Sequence, residues 1–220
     1  MRGFKLKKLT GFPAECKMCG HCCVQTKVIL SPFDIFAIAV HLKTSAARLF
    51  TEKILTYSIN TTTYWMEPVI NNKNDKEICP FLMRQQDKYL CRLYNNRPFV
   101  CRISPLAYSC ENNAFFRSAI AEKRCYPYQP LTVISVSRYL KKNNSKKAVK
   151  KNYKYRLLLK KIIDKGYTLK KIVNKPAAKK NFFRIQQLLY ETCPADPLTE
   201  KKYPFKKIKK YINSFPAVTQ

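Results

Sequence analysis

The chain has 220 residues, ten of them cysteines, and a formal net charge of +30 at pH 7. This length allows one domain or a domain with an extension, and a composition that is 46% hydrophobic and 13% aromatic excludes general disorder. Residues 141–180 hold fifteen lysines and one arginine against the single acid Asp164, whereas nine of the ten cysteines lie in the first 125 residues. We therefore divide the sequence into a cysteine-rich first part and a lysine-rich second part.

The N-terminal segment argues against a secreted disulfide protein. Residues 1–9 are basic, but no apolar segment of the signal-peptide type follows before Cys16. The most hydrophobic window, residues 28–42, is too short for a membrane span and contains Pro32 and Asp34. We expect a cytoplasmic protein, and in that compartment clustered cysteines more often bind metal or catalyse reactions than form disulfides.

The densest chemical signal is Cys16, Cys19, Cys22 and Cys23, four thiols within eight residues. The three-residue steps let a loop wrap round one centre, as in ferredoxin-type iron–sulfur loops, whereas zinc sites more often use two separated pairs of thiols. Adjacent Cys22 and Cys23 are expected to project in different directions, which gives Cys23 a separate role: a second centre, a bridge or a reactive thiol. The spacing favours iron–sulfur without excluding zinc, and the alternative is a set of buried structural thiols without metal.

Two helices are predicted directly after this cluster. Ser31 can cap the first helix, Pro32 suits its first position, and Asp34 lies where a carboxylate favours the first-turn amides. The apolar spacing predicts helices over about 32–42 and 45–56. We expect them to form a hairpin-like pair that packs behind the cysteine loop.

Short extended segments are predicted after Asn60, and several of them carry a cysteine. Cys79, Cys91 and Cys101 each lie in or beside a short apolar segment. Such segments can form a small irregular sheet that delivers thiols to one point. The predicted segments are residues 61–66, 67–70, 78–82, 88–91, 99–102 and 113–120.

The sequence after Pro130 is predicted to be helical. Leu157, Leu158, Ile162 and Ile163 would form the buried face of one helix, which ends at Gly166, and the lysines would form its solvated face. The same lysines also permit electrostatic binding to nucleic acid or to an anionic membrane surface, which we keep as a less favoured alternative. The predicted helices are residues 131–141, 145–165, 169–173, 177–191 and 205–211.

Three arginines flank the downstream cysteines. Arg92, Arg97 and Arg102 would offset the negative charge of clustered thiolates and donate hydrogen bonds to sulfur. The alternative for them is surface ion pairing. His21, inside the motif, is a weaker ligand candidate.

These blocks together resemble the YkgJ-type family of CxxCxxCC proteins, which is described as zinc- or iron-chelating. The residues that carry the resemblance are Cys16–Cys23, the helical segment 31–55, residues 79–82 and residues 91–105. The resemblance covers about residues 12–130, and Cys110 and Cys193 match none of its blocks. It implies eight ligand candidates for a metal or cluster: Cys16, Cys19, Cys22, Cys23, Cys79, Cys91, Cys101 and Cys125.

The resemblance also extends distantly to a flagellin lysine-N-methylase, in which such a cysteine cluster accompanies methyl transfer to lysine. The chain has only four glycines and no Gly-rich nucleotide loop. The sequence therefore leaves open whether the protein is an enzyme.

We expect an α+β protein in two parts. Residues 12–130 form a small cysteine-rich domain, with a helix pair and short irregular strands around a metal or iron–sulfur site. Residues 131–220 form a basic, mostly helical extension. The expected function is binding of iron, as an iron–sulfur cluster, or of zinc through thiolates, with a protein partner also possible. The alternatives are an iron–sulfur lysine N-methylase-like enzyme and a basic adaptor for nucleic acid or a membrane surface with a structural metal site.

Overall fold

The structure, a computed structural model, describes residues 20–24, 26–72, 77–86, 88–109, 112, 114–117, 135–191 and 203–218. The chain divides into two compact units of mixed α and β structure. The first comprises Met1–Val28 and Asn72–Tyr153, and the second comprises Ile29–Asn71 and Lys154–Gln220. The predicted boundary at residue 130 lies outside the described residues and stays a prediction.

The described residues contain helices, three antiparallel hairpins and two short 3₁₀ turns, His21–Cys23 and Tyr94–Asn96. The helices are α1 (Pro32–His41), α2 (Ala46–Thr51), α3 (Phe99–Ile103), α4 (Val136–Lys142), α5 (Lys146–Asp164), α6 (Leu169–Ile172), α7 (Pro176–Tyr190) and α8 (Phe205–Asn213). The strands are β1 (Leu55–Ile59), β2 (Met66–Ile70), β3 (Leu82–Gln85), β4 (Lys88–Cys91), β5 (Leu106–Ser109) and β6 (Ala114–Arg117).

Helix α1 begins as the sequence predicts, with a reciprocal capping box. The Ser31 amide donates to Oδ2 of Asp34 at 2.8 Å, and the Asp34 amide donates to Oγ of Ser31 at 3.3 Å. Pro32 occupies the first turn, where its missing N–H costs nothing. The cap thus satisfies amides that the helix itself leaves without acceptors.

Helix α2 is shorter than predicted. Its cap, Ser45, accepts a hydrogen bond from the Arg48 amide, but the helix ends at Thr51 rather than near residue 56. Lys53 adopts a left-handed backbone (φ 56°), which stops the helix, and Leu55 begins strand β1. The apolar residues kept a helix-like spacing past this turn because Leu55, which is buried at the start of β1, is also apolar.

The β1–β2 hairpin corrects a second prediction. Strand β1 pairs with β2 from Leu55↔Ile70 to Ile59↔Met66, so residues 61–65 form the connection rather than a strand. The side chain of Asn60 accepts from the amides of Thr62 and Thr63 and closes this turn. The predicted extended segment 67–70 is confirmed within β2.

A chain of hydrogen bonds ties this hairpin to helices of the same unit. Fully buried Trp65 donates through Nε1 to the Tyr190 hydroxyl at 3.0 Å, and that hydroxyl bonds the Tyr155 hydroxyl. Burial raises the pKa of Tyr155 to about 12. Gln186 donates to the Met66 carbonyl at 3.3 Å. The second unit is therefore closed by paired polar groups as well as by apolar contact.

The core of the first unit explains why residues 99–102 are not a strand. Phe99 and Ile103 are both buried, one helical turn apart, on α3. The extended-segment prediction there was wrong because a five-residue apolar stretch has no distinguishable period. The other buried members of this cluster are Leu106, Phe115, Val136, Tyr139, Leu140 and Val149.

The predicted helices of the C-terminal part are confirmed to within a few residues where the structure describes them, residues 131–134 of the first lying outside the described residues. The long helix ends at Asp164, two residues before Gly166 (φ 90°). In the described part of the chain, no helix combines the length and the apolar character needed to cross a membrane.

Replacing Ser31 with Ala is expected to lower the free energy of unfolding by about 1–2 kcal/mol, because the cap is lost and the Asp34 carboxylate loses its hydroxyl donor. Urea denaturation measures this. Ser58→Ala, a half-buried serine within β1, is the control. An equal loss in both variants would contradict the capping role.

Candidate metal centre

The cysteine motif enters the described structure through a tight turn at Gly20. Gly20 has a left-handed backbone (φ 74°), and the 3₁₀ turn His21–Cys23 follows directly. The Cys23 amide donates to the Gly20 carbonyl at 2.8 Å. A Cβ on Gly20 would lie 2.8 Å from Cγ of Tyr89, so both backbone angle and space require glycine here.

This turn brings the sulfurs of Cys22 and Cys23 together. Their Sγ atoms are 3.9 Å apart, so the expectation that the two side chains project in different directions was wrong. Successive residues of a 3₁₀ turn are about 120° apart rather than on opposite faces as in a strand. Two sulfurs on one tetrahedral zinc, at about 2.3 Å each, are about 3.8 Å apart. The pair is therefore spaced as two ligands of one metal can be.

Cys79 is held beside the motif by backbone contacts. The Cys79 amide donates to the Cys23 carbonyl at 2.9 Å, and Val24 and Ile78 form an antiparallel bridge. The chain then turns, with the Leu82 amide donating to the Cys79 carbonyl at 3.0 Å. Cys79 follows Cys23 by 56 positions in the sequence, and these contacts place it beside the motif.

The β3–β4 hairpin carries Cys91 back toward Cys79. Cys91 pairs with Leu82 in the hairpin register, three residues after Cys79. The Arg92 amide donates to the Phe81 carbonyl at 2.8 Å and extends the pairing by one residue. Cys91 thus ends strand β4, whereas Cys79 lies between the bridge at Ile78 and the turn that leads into β3, so the predicted extended segment 78–82 is confirmed only at its two ends.

Cys101 comes from a helix instead of a strand. It lies in the middle of α3, whose ends are fixed by buried Phe99 and Ile103. Because these two residues belong to the core of the first unit, the position of Cys101 depends on the packing of that core.

Neighbouring thiols and burial raise the pKa of Cys23 and of Cys79. The contact with Cys22 raises the pKa of the Cys23 thiol well above its usual range, and burial and thiolates at Cys79 and Cys101 raise it further. Burial also raises the pKa of Cys79, as do Cys91 and Cys22, whereas backbone hydrogen bonds from Phe81 and Leu82 lower it. Without a cation, these groups therefore oppose one another's ionisation.

The described thiols do not complete a site by themselves. Among the residues that the structure describes, no group of three or more His, Cys, Asp or Glu side chains is arranged to hold a metal ion. Three of the predicted ligands, Cys16, Cys19 and Cys125, lie outside those residues, as do Cys110 and Cys193. The donors that are described are thiols, half-buried, and of the kind that zinc and iron–sulfur clusters take.

The flanking arginines make backbone contacts. Nε of Arg97 donates to the Tyr94 carbonyl at 3.1 Å and the guanidinium lies 4.1 Å from the Tyr94 ring centre, while Arg102 donates to the Arg97 carbonyl at 3.1 Å. Arg92 and His21 are exposed. The charge-offsetting role of these arginines stays a prediction.

Two contributors to the site carry no sequence signal. Tyr89 packs against Gly20, and backbone groups of Phe81 and Leu82 lower the pKa of the Cys79 thiol. Neither contact depends on a motif. The contact between Gly20 and Tyr89, 69 positions apart in the sequence, depends on tertiary packing that no local pattern encodes.

Comparison with known proteins identifies a matching family. The family model named CxxCxxCC, described as a putative zinc- or iron-chelating domain, matches residues 15–152. Neither the curated proteins nor the solved structures give a match.

Gly20→Ala is expected to reduce the metal bound per chain while leaving every cysteine in place. The reasons are the left-handed backbone, which costs a residue with a Cβ about 1–2 kcal/mol, and the collision with Tyr89. Elemental analysis of purified protein measures this. The double variant Gly20→Ala/Tyr89→Ala removes the collision and should recover part of the metal. Full metal content in Gly20→Ala would contradict this account of the turn.

Proposed function

Since the chain belongs to the CxxCxxCC family, we propose that its cysteine-rich unit binds an iron–sulfur cluster through thiolates. The observation that carries this proposal is the 3.9 Å approach of the Cys22 and Cys23 sulfurs, with Cys79 held beside them by the hydrogen bond from its amide to the Cys23 carbonyl. The proposed ligands are drawn from Cys16, Cys19, Cys22, Cys23, Cys79, Cys91, Cys101 and Cys125.

The number of thiols favours a centre with more than one metal. A structural zinc takes four ligands, whereas the cysteine-rich unit offers eight candidate thiols, five of them among the described residues. The three-residue steps of the motif are those of ferredoxin-type loops. A cluster uses such a donor set more fully than one zinc ion does.

The surroundings of the thiols fit a bound cation. Thiols that are half-buried and close together ionise with difficulty, so a metal must supply the charge that holds them as thiolates. Backbone groups of Phe81 and Leu82 lower the pKa of the Cys79 thiol, and backbone N–H groups near sulfur are a means by which proteins stabilise thiolate ligands and set cluster potentials. When bound, such a cluster supplies one-electron redox chemistry.

The proposal includes a reducing, cytoplasmic setting, because the ligands must stay as thiols until the metal arrives. The five described cysteines are thiols rather than disulfides.

Anaerobic purification followed by iron, sulfide and zinc analysis, with an absorption spectrum, tests the choice of metal. We expect a brown protein with iron and acid-labile sulfide in similar amounts. A colourless protein with stoichiometric zinc and no sulfide would overturn the cluster assignment while leaving the family's chelating function intact.

Single replacements test whether adjacent thiols serve one centre. Cys22→Ser and Cys23→Ser are each expected to lose most of the bound iron and sulfide together, because the Sγ atoms of Cys22 and Cys23 lie 3.9 Å apart. Cys193→Ser, which matches no block of the family pattern, is the control and should keep its metal. Loss of iron in Cys22→Ser with full retention in Cys23→Ser would contradict a shared centre.

A further inference from the structure

The second unit contains a cleft that the cysteine site does not explain. It has a volume of about 770 Å³ and lies between strands β1 and β2, helices α7 and α8, and the residues after α8. This volume is within the range of small-molecule sites. Described side chains of the same unit form its walls.

Two of the aromatic side chains that line the cleft are partly exposed to solvent. Phe183 on α7 is 46% exposed and Tyr211 on α8 is 49% exposed. Tyr211 lies edge-on to Phe215, with ring centres 5.3 Å apart, and Phe183 lies edge-on to Phe182 at 5.4 Å. Exposed ring faces in a cleft are surfaces on which a planar aromatic ligand can stack.

The position of Phe215 is fixed by several contacts. Nζ of Lys165 donates to the Phe215 carbonyl at 2.6 Å, and the Tyr167 hydroxyl donates to the Pro216 carbonyl at 2.8 Å. The Val218 amide donates to the Lys165 carbonyl at 2.7 Å. This wall of the cleft is therefore built before any ligand binds.

Two cations share one side of the cleft. Lys180 and Arg184 both line it and are four residues apart on α7, so they lie on one helical face. Neither has an acidic partner within 4.0 Å among the described residues. Arg184 is instead held by a hydrogen bond to Oε1 of Gln187 at 2.9 Å. This pair suits an anion such as phosphate.

Among the described residues that line the cleft, the acid Glu191 lies at the other end from the two cations. Glu191 is seven residues beyond Arg184, about 10 Å along the helix axis, and it accepts a hydrogen bond from the Tyr57 hydroxyl at 2.8 Å. The cleft thus has a cationic end and an end closed by a paired carboxylate. An anionic group is directed to Lys180 and Arg184.

Amide groups supply polar contacts between the two ends. Gln186 lines the cleft and is 3% exposed; its Nε2 donates to the Met66 carbonyl, but its Oε1 has no hydrogen-bond partner among the described residues. A buried acceptor without a donor is costly. The side-chain amides of Asn181 and Gln187, which also line the cleft and are more exposed than Gln186, can meet the hydrogen-bonding edge of a base.

We propose that this cleft binds a nucleoside phosphate, with the base stacked on Phe183 and Tyr211 and the phosphate on Lys180 and Arg184. The exposed rings call for a planar aromatic group, the cation pair for an anion, and the amides for hydrogen-bonding edges. The ligand is either a free nucleotide or one nucleotide of a single strand, since both present this chemistry. The proposal stands apart from the metal centre, which belongs to the other unit.

Calorimetric titration of the full chain with adenosine 5′-monophosphate and with a short single-stranded RNA tests this. Adenosine and inorganic phosphate are the partial ligands, and each should bind about tenfold more weakly than the nucleotide, because each keeps only one half of the contacts. Tighter binding of the strand than of the free nucleotide would assign the ligand to a nucleic acid, and the reverse to a metabolite. No binding of either would overturn the proposal.

Two sets of variants separate the cleft from the general positive charge. Lys180→Ala/Arg184→Ala and Phe183→Ala are each expected to weaken nucleotide binding by about fivefold or more. The charge control is Lys146→Ala/Lys150→Ala, because these two lysines are exposed and have the same spacing on α5. The aromatic control is Phe116→Ala, because the Phe116 side chain is 48% exposed and belongs to the first unit. Equal weakening in variants and controls, or full binding in Phe183→Ala, would overturn the proposal. Metal content measured in the same samples should be unchanged.

Discussion

The hydrogen bond from the Cys79 amide to the Cys23 carbonyl is the contact on which the arrangement of thiols depends. It joins the motif to the downstream chain at the point where Val24 and Ile78 also pair. From there the turn after Cys79 leads into the β3–β4 hairpin, whose register returns Cys91. The turn at Gly20 fixes only Cys22 and Cys23 relative to each other, so this junction and the packing of Tyr89 against Gly20 place the motif beside the downstream chain.

The electrostatics of the gathered thiols then indicate which kind of ligand they can bind. Half-buried thiols that raise one another's pKa are stable as neutral groups, and gathering several of them gives little packing advantage. A bound cation changes this balance, because each thiolate is attracted to it and the ionised form of the thiols is then favoured. The polar chain of Trp65, Tyr190 and Tyr155 in the second unit shows the other solution, in which buried polar groups satisfy one another without a metal.

Much of this fold could be predicted from the sequence because its signals are local. The cap of Ser31 and Asp34 fixed the start of α1, and Gly166 fixed the end of α5. The errors at Cys101 and Leu55 arose where short apolar stretches have no clear period, so tertiary packing decided between helix and strand. The approach of the Cys22 and Cys23 sulfurs could not be predicted, since it depends on a 3₁₀ turn rather than on residue spacing. The cleft of the second unit is assembled from β1, β2, α7, α8 and the residues after α8, and no sequence motif marks it.

X-ray absorption at the iron and zinc edges of the anaerobically purified full chain tests the central claim, that the clustered thiols converge on one metal centre. The account predicts a first shell made of sulfur alone, at about 2.3 Å, with a further iron–iron distance when the centre is a cluster. A first shell dominated by oxygen or nitrogen, or a protein that binds neither metal, would contradict it.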